Sequence, residues 1–297
     1  MPIIDGWRVD EFFGRHSISR RQAFLTHAHR DHTRGLSAFL KREKDVMLVC
    51  SKETAKIVEI LDGVPPERCL TVSPGQDLSL DAGTVSVFDA NHCVGSLMFH
   101  FNLDTIRAVT TGDFRANKQI LTAASEFCKP DEAYIDTTFD QPLFRFPSQA
   151  KAITEIVKIA MRMEKSPKKL LLGSYLFGKE RLFATLSHAI QQKLFLANPV
   201  QQKIYRALGF ESFWTDDIDD TWISIVPMGS LEEPKKLRQW GIFRDKHSHH
   251  HVVASGWACL QQSSPDVSYI PYSEHNDFAE LKNYRNVLKA KREIQIT

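Results

Sequence analysis

Along this chain the apolar positions fall into two regimes. In the first, short apolar runs are bounded by turn signals. Met47-Leu48-Val49-Cys50, Val85-Ser86-Val87-Phe88, Leu97-Met98-Phe99-His100-Phe101 and Arg107-Ala108-Val109-Thr110-Thr111 have strand character. Ser73-Pro74-Gly75 and Asp81-Ala82-Gly83 punctuate them as turns. Between them, Ser51 to Leu61 reads as a short helix, with Ser51 as N-cap and Ala55, Val58 and Leu61 on one face. Strands interleaved with helices predict a layered α/β architecture.

The second regime begins after Pro147. Ser148 is a good N-cap, and Ile153, Ile156, Val157 and Ala160 form a helical stripe. Lys169 to Gly173 predicts a buried strand that feeds the turn Ser174-Tyr175-Leu176-Phe177-Gly178. A helix from Lys179 to about Lys193 follows, completing the strand, turn and helix of a parallel-sheet unit. From Phe195 to Asp245 the periodicity weakens, and the run His247 to His251 is expected to be an exposed loop.

Composition narrows the class. With 297 residues and 42% hydrophobic content, the chain can hold two domains, or one domain with a large insert. No run approaches membrane-spanning length, and the N-terminus lacks a secretory pattern, so a soluble protein is expected. Its five cysteines are scattered without a Cys-x-x-Cys pair, which fits reduced thiols packed in a core inside a cell. The net charge of +2 does not by itself indicate nucleic-acid binding. Basic residues do cluster, at Lys165, Lys168, Lys169, Lys179 and Arg181 and again at Lys282, Arg285, Lys289, Lys291 and Arg292. These are ordinary solvated faces unless an active site lies between them.

The chemistry concentrates in His27-Ala28-His29-Arg30-Asp31-His32, directly after Ala23-Phe24-Leu25. A buried strand ending there would deliver imidazoles and a carboxylate to one side of a sheet, a donor set suited to zinc. His92, in Asp89-Ala90-Asn91-His92-Cys93-Val94-Gly95-Ser96, and Asp113, in Thr111-Gly112-Asp113-Phe114-Arg115, also stand at strand ends. His27, His29 and His92 can hold one metal, Asp31 and His32 a second, and Asp113 can bridge. Two ions about 3.5–4 Å apart polarise a phosphoryl oxygen and activate water near neutral pH. Separately, Ser174, Tyr175 and Lys179 lie at a turn entering a helix, where backbone N–H groups and a point charge suit an anion. The alternative is that Tyr175 and Phe177 simply pack beneath the turn.

The order His-x-His-x-Asp-His, strand-end His, Thr-Gly-Asp resembles the ligand order of the metallo-β-lactamase superfamily. Further motifs narrow the likeness: Leu25-Thr26-His27, Ile135-Asp136-Thr137-Thr138-Phe139, Phe146-Pro147-Ser148-Gln149 and Ile270-Pro271-Tyr272-Ser273-Glu274-His275. Together they resemble the β-CASP nucleases of DNA cross-link repair. The segment Gly173-Ser174-Tyr175 with Gly178-Lys179-Glu180 is most similar to the exonuclease branch. The likeness runs from about Val9 to the last residue.

The resemblance implies an α/β fold: a metallo-β-lactamase αββα sandwich with an inserted β-CASP domain. Residues 1–143 and 251–297 would form the sandwich and 144–250 the insert. It implies Zn2+ as cofactor, one ion with room for a second, and Mg2+ or Mn2+ as substitutes. Asp31, Asp113, Asp136 and His275 would be catalytic, and Asp10 would orient a ligand histidine. Asp136 would hold His275 beside the scissile phosphate. Ser174, Tyr175, Lys179 and His275 would contact substrate phosphate. The implied activity is 5′-to-3′ exonucleolytic hydrolysis of DNA, single- or double-stranded with a free 5′ end and preferably 5′-phosphorylated, in interstrand cross-link repair. A nuclear monomer is expected, without a membrane. Thr297 stands where RNA-processing relatives carry a further metal-binding histidine, which favours DNA and leaves a second ion fewer ligands. The chain ends within what reads as the last core strand, as a minimal catalytic unit or a truncation. The alternatives are an RNA-processing β-CASP endonuclease, a non-catalytic DNA-binding scaffold and a small-molecule hydrolase.

Overall fold

In a computed structural model of the chain, residues 2–13, 20–231, 233–242 and 249–296 are described. The chain divides into two compact units, Met1–Leu143 with Glu274–Thr297, and Phe144–Ser273.

In the first unit, β1 (Ile3–Ile4) and β2 (Trp7–Arg8) form an antiparallel pair. Next come three parallel strands, β3 (Gln22–Phe24), β4 (Met47–Cys50) and β5 (Cys69–Thr71). Two helices, α1 (Leu36–Arg42) and α2 (Lys52–Asp62), make the crossovers that parallel strands require. Ser51 caps α2 as its sequence predicts, accepting from the Thr54 N–H at 3.0 Å. An antiparallel meander follows: β6 (Asp77–Leu80), β7 (Gly83–Asp89), β8 (Leu97–Leu103) and β9 (Arg107–Thr110). After α3 (Lys118–Glu126), β10 (Glu132–Asp136) adds to β9 in parallel.

The second unit opens with α4 (Gln149–Met163), capped by Ser148 as expected. Then β11 (Lys169–Ser174), α5 (Glu180–Ile190), β12 (Leu194–Leu196), α6 (Pro199–Leu208), β13 (Trp214–Thr215), β14 (Ile223–Pro227), α7 (Pro234–Gln239), β15 (His249–Ser255) and β16 (Val267–Pro271) succeed one another. The strands form one all-parallel sheet in the order β13-β12-β14-β11-β15-β16. Leu170-Leu171-Leu172 and Ile223 to Val226 are buried, as central parallel strands should be. Residues 251–273, assigned from sequence to the first domain, belong to this unit. Most of β15 and all of β16 lie there, so the boundary expected at 250 moves to Ser273. The histidine run is likewise not an exposed loop over its described part. His249 to His251 open β15, with His249 and His250 buried. His250 is satisfied there, with Nδ1 3.2 Å from the Pro265 carbonyl and Nε2 2.8 Å from the Ser268 hydroxyl.

The chain then returns to the first unit as α8 (Phe278–Leu288) and β17 (Arg292–Ile296). β17 pairs in parallel with β10 and closes the six-stranded sheet β17-β10-β9-β8-β7-β6. One face of that sheet packs on the three-stranded sheet. Phe24 of β3 meets Phe99 and Phe101 of β8 edge-on, each at 5.1 Å, among Trp7, Val49, Val85 and Val87. Met98, Val109, Ala133 and Ile135 point the other way, onto Ile120 of α3 and Leu281, Tyr284 and Leu288 of α8. This mixed α/β architecture matches the sequence expectation at class level. No helix among the described residues is long and apolar enough to cross a membrane.

Candidate active site

Four strands of the first unit end where the chemistry begins. The chain leaves β3 at Phe24 and reaches His27, His29 and His32; β7 leads to His92, β9 to Asp113, and β10 ends on Asp136. His275 arrives on the segment before α8. Close approach of two of these ends depends on Gly112, whose φ is 51°. A Cβ there would lie 2.7 Å from the Thr26 side chain, so no other residue fits without displacement.

The side chains converge. His29 Nδ1 lies 3.0 Å from His27 Nε2 and 3.1 Å from His92 Nε2. Asp113 Oδ2 lies 3.5 Å from His27 Nε2 and 3.6 Å from His92 Nε2, while its Oδ1 lies 3.3 Å from His32 Nε2. Asp31, largely exposed, places Oδ2 3.7 Å from His32 Nε2. A tetrahedral zinc site with bonds of about 2.0–2.1 Å has ligand-to-ligand edges of about 3.3–3.4 Å. The separations bracket that value.

Proton bookkeeping gives an independent test of fit. Asp10 Oδ2 accepts from the Thr26 hydroxyl at 2.7 Å, so Thr26 Oγ1, 3.0 Å from His27 Nδ1, is left as acceptor for the imidazole N–H. That assigns a bare lone pair to His27 Nε2. His92 Nδ1 donates to the Glu274 carbonyl at 3.1 Å, which bares His92 Nε2 in the same way. Two lone pairs therefore face His29 Nδ1, which can offer at most one proton. A cation among the three nitrogens satisfies the set; hydrogen bonding among them does not.

The titration directions agree. Burial first, and His32 next, hold His27 well below its ordinary range. Burial and His92 lower His29 to about 3, and burial and His275 lower His92 to about 4. All three are neutral at pH 7, as metal-ligating imidazoles must be. His32 goes the other way. Burial lowers it, but the Asp113 and Asp10 carboxylates outweigh that and hold it well above the ordinary value. Burial pushes Asp113 up, yet the charge of His32 outweighs it and keeps the carboxyl well below the usual carboxylate range.

Asp10 is buried and accepts three times, from the Thr26 N–H at 2.8 Å, the Thr26 hydroxyl, and His32 Nδ1 at 2.8 Å. It thereby aims His32 Nε2 at Asp113. Asp136 does the same for His275, whose Nδ1 lies 2.8 Å from Asp136 Oδ2. The other Asp136 oxygen accepts from the Thr138 N–H and hydroxyl at 3.0 and 2.6 Å. Burial alone would lower His275, but the Asp136 charge and hydrogen bond raise it to about 9. A ligand atom of His275 lies within 4.8 Å of those of His92 and Asp113.

The Ser174, Tyr175 and Lys179 group, in the second unit, does not present itself to an anion as the motif suggests. Lys179 is 5% exposed and donates Nζ–H to the Gly173 and Ala254 carbonyls at 3.0 and 2.7 Å. Ser174 is buried and its hydroxyl donates to the Tyr175 carbonyl at 2.7 Å. Phe177 packs beneath the turn, whereas Tyr175 stands out of it, 61% exposed. Among the described residues, four of the ten in the basic clusters are ion-paired. Lys168 pairs with Asp266, Arg285 with Asp140 and Glu293, Lys291 with Asp131 and Arg292 with Glu132. Thr297 lies outside the described residues.

Two residues escaped the sequence reading. Cys93, expected as a core filler, brings Sγ within 4.8 Å of ligand atoms of His27, His29 and His92. Asn276 clamps the His275 segment to the Asp113 segment: Oδ1 accepts from the Ala116 N–H at 2.8 Å, and Nδ2 donates to the Phe114 carbonyl at 2.9 Å. Its position beside His275 was the available signal.

No family model matches the chain. Curated relatives do. The chain is 29% identical over 289 residues to the DNA cross-link repair protein SNM1 of Arabidopsis thaliana, covering 90% of this chain and 58% of that protein. It is 27% identical to the mouse (Mus musculus) DNA cross-link repair 1A protein, covering 97% of this chain and 30% of that one. With the 5′ exonuclease Apollo of Gallus gallus the identity is 28%, over 97% and 60% of the respective chains. The chain thus spans between about a third and three fifths of the length of these relatives. A solved structure of a protein of unknown function from Enterococcus faecalis V583 superposes with a TM-score of 0.63 at 14% identity, over 96% of this chain and 78% of that one. That likeness concerns the fold alone.

Proposed function

We propose, from a likeness to the cross-link repair nucleases that these relatives bear out, that the chain is a metal-dependent nuclease. It hydrolyses DNA phosphodiesters from a 5′ end in interstrand cross-link repair, with a preference for 5′-phosphorylated substrate, and works in the nucleus as a monomer. In this reading the first unit is a metallo-β-lactamase αββα sandwich and the second a β-CASP insert. The observation that carries the proposal is the convergence of His27, His29, His32, His92 and Asp113 next to the Asp136–His275 pair.

His27, His29, His92 and Asp113 would hold a zinc ion, and Asp31, His32 and Asp113 would hold a second. Zn2+ so held supplies Lewis-acid polarisation of a phosphoryl oxygen and acidifies the attacking water; Mg2+ or Mn2+ would serve in substitution. The chain's own part lies with His275. With its pKa raised to about 9 it is protonated at pH 7, and its Nδ1–H is committed to Asp136. The protonated ring would donate to the scissile phosphate or give a proton to the leaving 3′ oxygen. Contact with the scissile phosphate would thus rest on His275, while the Lys179 ammonium and the Ser174 hydroxyl bond internally and would hold the Tyr175 turn. A non-catalytic scaffold has no need of this donor set, with every expected histidine present and converging.

End-labelled single-stranded DNA and RNA, each with and without a 5′-phosphate, test the proposal alongside elemental analysis for zinc. Digestion of DNA from the 5′ end is expected, abolished by chelation and by His29→Ala or Asp113→Ala with the fold retained by circular dichroism. Undiminished turnover in either variant refutes the metal-dependent reading, and preferential degradation of RNA moves the assignment to an RNA-processing enzyme.

A further inference from the structure

Two large aromatic side chains of the second unit stand in solvent on one edge of its sheet. Tyr175 follows β11 and is 61% exposed; Trp257 follows β15 and is 54% exposed. β11 and β15 are parallel neighbours with Leu172 opposite Val252, so both rings leave the carboxyl ends of adjacent strands.

Their mounts are rigid. The Lys179 ammonium lies 5.5 Å from the Tyr175 ring and donates to the Ala254 carbonyl at 2.7 Å, tying one turn to the other. Ser255 Oγ accepts from the Trp257 N–H at 3.1 Å, and the Trp257 ring meets buried Phe144 edge-on at 5.3 Å and 89°. Gln149, at the start of α4, holds Arg181 of α5 at 2.6 Å. Three segments, residues 144–151, 174–181 and 254–260, are thus joined along one edge.

The charge of these segments is one-sided. They contain Arg145, Lys151, Lys179 and Arg181, and Glu180 is their sole acidic residue. Glu180 turns inward, its Oε1 accepting from the Gly178 N–H at 2.7 Å and the Tyr205 hydroxyl at 3.1 Å. Arg145 and Lys151 are exposed and carry no side-chain ion pair among the described residues. Fixed aromatic faces beside unpaired cations suit a single nucleic-acid strand, because every base offers a π-face and every linkage a negative charge.

We propose that this edge is a stacking platform for unpaired nucleobases, with Tyr175 and Trp257 taking bases and Arg145 and Lys151 the phosphates between them. The inference rests on a nucleic-acid substrate, as proposed above, and adds where an unpaired stretch is held. It also gives Lys179 a role: it positions the platform and does not touch the strand.

The test uses the full chain and a 3′-fluorescein oligothymidylate of about twelve nucleotides, phosphorothioate-linked against digestion, with an abasic strand of equal length as control. By anisotropy, Tyr175→Ala and Trp257→Ala should each raise Kd for the oligothymidylate roughly tenfold. Tyr175→Phe and Trp257→Phe, which keep a ring, should bind nearly as the parent does, which separates stacking from misfolding. The abasic strand should bind weakly and equally to every variant. Unchanged affinity in the alanine variants, or an equal loss on the abasic strand, overturns the platform and hands the aromatic pair to a protein partner. Binding is read apart from turnover. A parent chain that digests DNA while the alanine variants bind normally sinks the platform alone; one that binds through these rings yet digests nothing sinks the nuclease reading alone.

Discussion

Replacing His275 by glutamine in chelated protein should remove a defined slice of the pH dependence of stability. The folded pKa of about 9 stands above an ordinary value of 6.5, with the side chain 22% exposed. Between those values the folded chain binds one more proton than the unfolded chain, so stability must fall as pH rises. The slope is about 1.4 kcal/mol per pH unit for one proton. Over the full interval the shift corresponds to about 3 kcal/mol, present in full below pH 6.5 and gone above pH 9. His32 contributes in the same direction, so the parent curve alone does not isolate His275. The difference between the parent and His275→Gln does. Urea denaturation at half-unit steps from pH 6 to 10, with chelator throughout, should give curves that converge toward high pH as the parent loses its advantage. Parallel curves would show that His275 is not held protonated by Asp136, and its role as a proton donor would fall with them.

Lys179→Ala should destabilise the second unit by about 2–4 kcal/mol, because two buried carbonyls lose their charged donor. Intact stability with KM raised only for 5′-phosphorylated substrate would instead restore a phosphate contact. Gly112→Ala should cost about 1–3 kcal/mol and weaken zinc uptake, since the new methyl meets Thr26 at 2.7 Å with φ at 51°; unchanged uptake by titration would separate that turn from the site. Asn276→Ala leaves the Ala116 N–H without its acceptor, so a loss of about 1–3 kcal/mol and a fall in kcat at constant KM are expected. A fall in KM alone would mean that the clamp does not position His275.

What was legible in the sequence was what is local. His27, His29 and His32 are near neighbours after a buried strand, so their residue types and spacing already state a donor set. Ser51 and Ser148 cap the helices that follow them for equally local reasons. What was not legible shares a different cause. Lys179 looked like a ligand for phosphate because its partner, the Ala254 carbonyl, comes from a strand 75 residues onward. The C-terminal basic cluster reads in sequence as a solvated face, and its partners Asp140, Asp131 and Glu132 are not visible there because they lie some 145 to 160 positions away. His249 to His251 lack the apolar pattern of a strand, and become one by pairing with Lys169 to Leu171 on one side and, from His251, with β16 on the other.

The deepest distinction in the site is invisible in residue type. Five histidines meet there, and their environments divide them into two kinds. His27 and His92 give their Nδ1 protons to neutral oxygens, the Thr26 hydroxyl and the Glu274 carbonyl, and burial then keeps the rings uncharged. His29 joins them, lowered by burial and by His92. His32 and His275 give theirs to carboxylates, Asp10 and Asp136, each at 2.8 Å, and both are raised. A neutral partner makes an imidazole a lone-pair donor, whereas a charged one makes it a more basic ring that holds its proton. The two carboxylates differ in turn by what lies beyond the ring. His32 Nε2 lies 3.3 Å from Asp113 Oδ1, so a cation arriving there would displace its proton, while a ligand atom of His275 lies within 4.8 Å of those of Asp113 and His92. One device used twice therefore raises two imidazoles, of which, in the proposed reading, His32 would serve as a ligand and His275 as an acid.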